Sequence, residues 1–190
     1  MTTSVSQISK HFNASDADVV IRSCDNVEFR LHKRNLEFTT GAFPPAETPT
    51  NNEIVQLSEP SETLEILFQF VYPRRFPSLD SMELESLMLV AEAAEKYEVV
   101  MAISICEFNL RKFHDTHPKR IVEFAAKHNY RELVAKMLPN LIDTDISELA
   151  EILPPYVYIP WVSRRIRSYP SNSTTSAPEH LSSLPLVENY

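Results

Sequence analysis

The stretch from Asp18 to Leu36, DVVIRSCDNVEFRLHKRNL, constrains this chain more than any other. Val19, Val20 and Ile21 are consecutive β-branched residues, which suit a buried strand. Asp25-Asn26 is a turn pair, because both tolerate positive φ better than other residues that carry a Cβ. Val27, Phe29 and Leu31 then alternate with Glu28 and Arg30, the period-two pattern of a half-buried strand. The spacing predicts a hairpin that runs into a short helix from His32 to Thr40, with Leu36 facing inward and Gly41 placed to stop it.

Downstream, three prolines and two asparagines in FPPAETPTNN break regular structure, and EIVQL (53–57) alternates again as a third strand. Ser61 is placed to cap a helix on which Leu64, Leu67, Phe68 and Val71 share one face. Asp80 and Glu83 have the form of a capping box ahead of a helix from Ser81 to Tyr97. Its stripe of Leu84, Leu87, Met88 and Ala91, widened by Leu89 and Val90, predicts a central position. Helices are expected from Met101 to Phe113, from Pro118, from Tyr130 to Leu141 and after the Asp145/Glu148 box. In the last apolar segment, YVYIPWVSRRIRS, Pro160 predicts a kink or a break.

Both ends are polar. Residues 1–15 are expected to be mostly disordered, with Ile8 and Phe12 four apart as one helical turn at most. The Ser/Thr/Pro/Asn-rich residues 169–190 are expected to be a disordered tail. The layout is therefore an α+β domain at 16–110 and a helical extension at 111–168.

Composition narrows the function. With a net charge of −8 and no long basic run, nucleic-acid binding is disfavoured, since phosphate contacts need a basic face. A single glycine, Gly41, argues against phosphate-cradling loops. Cys24 and Cys106 lack metal-ligand spacing and suit reduced thiols, Cys106 on an apolar stripe. There is no signal-like or membrane-length apolar run, so the expected location is intracellular, in cytoplasm or nucleus.

No residue constellation recommends catalysis or a cofactor. His114 and His117 form an isolated H-x-x-H, short of the three or four ligands that zinc needs. His32 is expected at the edge of the core with a satisfied hydrogen bond. No glycines are present to build a nucleophile elbow. Glu92 is placed to pair with Lys96 at i, i+4.

The order β-β-α-β-α-α, followed by more helices, resembles a BTB/POZ domain. Phe29-x-x-His32-Lys33-x-x-Leu36 is similar to that family's F-x-x-H-K-x-x-L. Leu67-Phe68-Gln69-Phe70-Val71-Tyr72 and Ala91-Glu92-Ala93-Ala94-Glu95-Lys96-Tyr97 resemble two of its helix motifs, and Tyr72-Pro73-Arg74-Arg75 is similar to many fungal members. The resemblance implies a small three-stranded sheet packed with helices, without enzyme activity or cofactor, that binds protein partners. Homodimerisation is one implied mode; adapting substrates to a cullin-type ubiquitin ligase is the alternative. Asp18 and Lys33 match an aspartate and a basic residue at the seam of dimeric members. Phe43 matches the next buried phenylalanine. Glu47 lies where cullin binders have a helix with an apolar-x-Glu element, here replaced by PPAETPTNN.

Overall fold

A computed structural model describes residues 7–51 and 53–168, with side chains through 166. The expected hairpin is present. Strand β2 (Val19–Arg22) pairs antiparallel with β3 (Val27–Leu31), Val19 opposite Leu31 and Ile21 opposite Phe29. Asn26 takes φ 64° at the turn, the left-handed conformation that its side chain tolerates. Ile21, Phe29 and Leu31 are fully buried, so the alternating face is the core face.

Among the described residues the sheet has four strands, not three: a strand at Gln7–Asn13 (β1) flanks β3, and one at Ile54–Gln56 (β4) flanks β2, giving the order β1-β3-β2-β4. The third predicted strand, β4 (Ile54–Gln56), lies parallel to β2. The additional strand is β1 (Gln7–Asn13), parallel to β3, which corrects the expectation of disorder at these residues. Its period is hidden because the register shifts between Ile8 and Asn13. Ser9 turns inward there and its Oγ accepts from the backbone N–H groups of His11 and Phe12, at 3.2 and 3.1 Å. The same hydroxyl donates to Glu65 at 2.7 Å. Phe12 then enters the core against Phe29, Phe68 and Tyr72, with ring centroids 5.7–6.1 Å apart. Residues 1–6 and the expected disordered tail 169–190 lie outside the described residues.

Helix α1 (Lys33–Thr39) follows β3 after His32 and ends two residues before Gly41, with an extended Thr40 as its cap. Helix α2 (Ser61–Leu67) continues as a 3-10 turn at Phe68–Phe70. Helix α3 (Leu84–Lys96) is central, burying Leu87, Val90, Ala91 and Ala94 almost completely. It begins three residues later than expected. Asp80 is taken by Ser78 and Lys112, so the proposed capping box does not form. Glu98, at φ 52°, reverses the chain into α4 (Val100–Leu110).

Among the described residues four more helices follow: α5 (Pro118–Lys127), α6 (Arg131–Met137), α7 (Ile146–Ile152) and α8 (Pro155–Ser168). Pro118 opens α5 as the sequence predicts, and Asp145 caps α7 by accepting from the Ser147 N–H at 2.7 Å, while Glu148, the other half of the predicted box, pairs with Lys119 instead. Helix α8 runs through Pro160 without stopping, with one backbone hydrogen bond forgone. Ile121, Phe124, Leu133 and Met137 of the extension join the same buried cluster as the strands and α3.

Candidate interaction surface

Two aspartates of the hairpin organise the helices that follow it. Asp18 accepts from the Lys33 backbone N–H at 2.7 Å and so caps α1 from fifteen residues away. Asp25 accepts from the Ser61 N–H at 2.8 Å and from its hydroxyl at 2.6 Å, capping α2. Ser61 is therefore the first helical residue, not the cap; Pro60 occupies the cap position and has no side-chain donor or acceptor. Partial burial pushes the Asp25 carboxyl up, but its bonds from Ser23 and Ser61 outweigh this and leave it below the usual value.

Of the four residues singled out for a contact surface, the structure gathers three. Asp18 is exposed and meets Lys33 through the backbone. The Lys33 ammonium reaches over to donate to the Thr48 carbonyl at 2.8 Å, closing the 44–50 loop on α1. Beneath it lies a small apolar hollow of about 140 Å³ between Val19, Leu36, Phe43 and Val55. Phe43 is half-buried and stacks on Tyr97, centroids 5.3 Å apart and planes at 26°. Glu47 stands apart, exposed on the loop and outside the lining of the hollow. No helix forms among the described residues between Gly41 and Glu53.

The histidine of the F-x-x-H-K element is spent internally. His32 donates its backbone N–H to the Tyr72 hydroxyl at 3.3 Å, and its ring Nδ1 lies 3.0 Å from the same oxygen. Burial raises the Tyr72 hydroxyl above its usual range. The K-Y pair closing α3 is likewise engaged, because Lys96 and Tyr97 both donate to Glu59, at 2.7 and 2.5 Å. Lys96 thus faces Glu59, although its helical spacing predicts Glu92 as the partner. Glu92 instead takes Lys127 at 2.7 Å and His128 at 3.1 Å. Glu95 accepts from the Tyr130 hydroxyl and lies 3.6 Å from His128. These bonds tie the extension to α3.

His114 and His117 do not converge: one ring faces the Arg111 carbonyl, the other the Thr116 hydroxyl. Among the described residues, no group of three or more His, Cys, Asp or Glu is placed to hold a metal. No helix among them is long and apolar enough to cross a membrane.

A feature that period-counting missed is the outer face of α4. Ala102, Cys106, Asn109 and Leu110 point into the core. Val100, Met101 and Phe108 lie on the opposite side and are 65%, 47% and 64% exposed. The helix is apolar nearly all round, a pattern that belongs to a helix covered on every side. Two sides of apolar sequence, with only one side of core, was the available signal.

Comparison with protein families matches residues 9–114 to the BTB/POZ domain, more than half of the chain. The chain belongs to the BTB/POZ family. The matched region spans the sheet, α1 to α4 and the turn after α4, and a helical region follows it. Compared with curated proteins, the chain has no match. BTB/POZ domains are in general protein–protein interaction modules, typically without catalysis. The BTB/POZ motif residues are here structural: Phe29 packs edge-on against Phe68 at 5.3 Å, and His32 meets Tyr72.

Proposed function

We propose that this protein works by docking other proteins, itself included, without bond-making chemistry, and that the outer face of α4 is a principal contact. The observation that supports this is the bare row of Val100, Met101 and Phe108, opposite a fully packed inner face. Large apolar side chains left exposed on one helix face, as Val100, Met101 and Phe108 are here, are a feature of interaction sites. Aromatic side chains such as Phe108 supply most of the energy at such contacts. Asp18 and Lys33 serve this module as a cap and a loop tie, which hold Phe43 and the hollow beside the hairpin.

Light scattering on the eluting protein tests the self-association. The wild-type chain is expected to run above monomer mass, and Phe108→Asp to return it to monomer with its fold intact. Affinity capture with both proteins extends the test to other partners. Equal mass and equal captured sets for the two proteins overturn the assignment of α4. The cullin-adaptor alternative gains no support from the loop after Gly41, whose described residues up to Glu53 form no helix where that contact needs one.

A further inference from the structure

An open groove runs between the turn after α6 and the body of α8. Leu138 and Ile142 form one wall, Tyr156 and Trp161 the other, and Arg164 and Arg165 close one end. Its volume is about 460 Å³, enough for several side chains. The walls are fixed. Trp161 donates its ring N–H to the Leu138 carbonyl at 3.3 Å. Arg165 donates to the Thr144 carbonyl at 2.6 Å while its guanidinium lies 5.2 Å over the Trp161 ring. The surface left over is apolar, with Ile142 49% and Tyr156 54% exposed, under a cationic rim.

We propose that this groove binds a segment of the same chain, Leu181–Glu188, LSSLPLVE. Three observations select this occupant, and none depends on the α4 face. The first is chemistry. Residues 169–190 contain no lysine or arginine, carry Glu179 and Glu188, and gather their aliphatic residues at Leu181, Leu184, Leu186 and Val187. An apolar cluster flanked by carboxylates complements an apolar groove rimmed by guanidinium groups.

The second is reach. The groove lies along α8 from Tyr156 to Arg165, a length of about 14 Å at the helical rise. The connecting residues 169–180 start where α8 ends, and a linker of about a dozen residues can span ~20 Å on average. The segment is therefore presented to the groove at an effective concentration on the order of millimolar. The third is the cost of ordering. Pro185 sits inside the cluster and fixes its own φ, which lowers the entropy lost when an extended segment is held.

Trp161 is the only tryptophan and lines the groove, so its fluorescence reports occupancy. Acrylamide quenching is measured on the full chain, on Leu184→Ser/Leu186→Ser, and on a chain ending at Ser168. Both altered proteins are expected to quench at least ~2-fold more steeply, with red-shifted emission, because the indole loses its cover. A synthetic peptide of residues 179–190, added to the chain ending at Ser168, is expected to restore the full-chain emission, and Arg164→Glu to weaken that binding. The contrast is expected to persist over ~100-fold dilution, as an intramolecular contact requires. Equal quenching in all three proteins overturns the proposal. A contrast that disappears on dilution assigns the groove to a second copy and overturns it equally.

Discussion

The Tyr97 hydroxyl donates to the Glu59 carboxylate at 2.5 Å, and this one bond joins the end of α3 to the segment that leads from the sheet into α2. Glu59 also takes Lys96 at 2.7 Å, while its backbone carbonyl accepts from the Cys24 N–H at 3.0 Å. Hairpin, α2 and α3 therefore meet at one residue. Burial, and then the bond to Glu59, push the Tyr97 hydroxyl up to about 12. Burial raises the Glu59 carboxyl, but the bonds from Lys96, Tyr97 and Ser58 outweigh it and bring it below the usual value.

Tyr97→Phe removes the donor and leaves a partly buried carboxylate with less support. It is expected to lower stability by about 1.5–3 kcal/mol, the range for hydrogen bonds to charged groups. Urea unfolding at neutral pH measures this. The pH dependence has two arms. Tyr97 is raised, so its stabilising contribution is complete below its unfolded value of 10.0 and is lost as pH climbs from there towards about 12. Glu59 is lowered, so its contribution is complete above its unfolded value of 4.5 and is lost as pH falls through its folded value. Both arms are expected to flatten in Tyr97→Phe.

Removing Phe12 tests the first strand. Phe12 is 3% exposed and surrounded by three aromatic rings. Phe12→Ala is expected to cost about 3–5 kcal/mol, whereas Ile8→Ala, at a position 41% exposed, is expected to cost under ~1 kcal/mol. Similar small effects at both positions in denaturant unfolding would show that β1 is not part of the fold.

The two cysteines are expected to differ sharply. Cys106 is 1% exposed and burial pushes its thiol up to about 12, so little thiolate exists to attack a reagent. Cys24 lies exposed in the hairpin turn. Titration of the folded protein with a thiol-reactive disulfide is expected to consume one equivalent quickly and the second only at the rate of unfolding. Fast reaction of both thiols refutes the packing of α4 against α3.

What the sequence disclosed and what it hid follow from the range of the forces involved. The hairpin, α3 and the caps at Pro118 and Asp145 were legible because each depends on neighbours within a few residues. β1 was not, since its inward Ser9 and shifted register erase the alternation that marks a strand. The caps of α1 and α2 were assigned to local residues or to none, because Asp18 and Asp25 reach their helices only after the hairpin has folded. Lys96 was paired with Glu92 by helical spacing, while the tertiary fold offered the better buried Glu59. In the candidate surface, Asp18, Lys33 and Phe43 could be named from motif positions, but the bare face of α4 shows only once its other side is packed.

Asp18 separates two roles that its position alone leaves joined. As a cap it needs only an acceptor oxygen directed at the Lys33 N–H, which an asparagine side chain also supplies. As a seam residue in a dimer it needs its charge. Asp18→Ala is expected to lose about 1 kcal/mol of stability in denaturant unfolding, and Asp18→Asn to lose only a few tenths. The same two proteins, run through light scattering, divide the roles. A fall in mass for both marks the charge as part of the contact, because only the asparagine retains the cap. Unchanged mass for Asp18→Asn leaves Asp18 as the residue that starts α1 and, through Lys33 and Thr48, holds the loop that carries Phe43 against Tyr97.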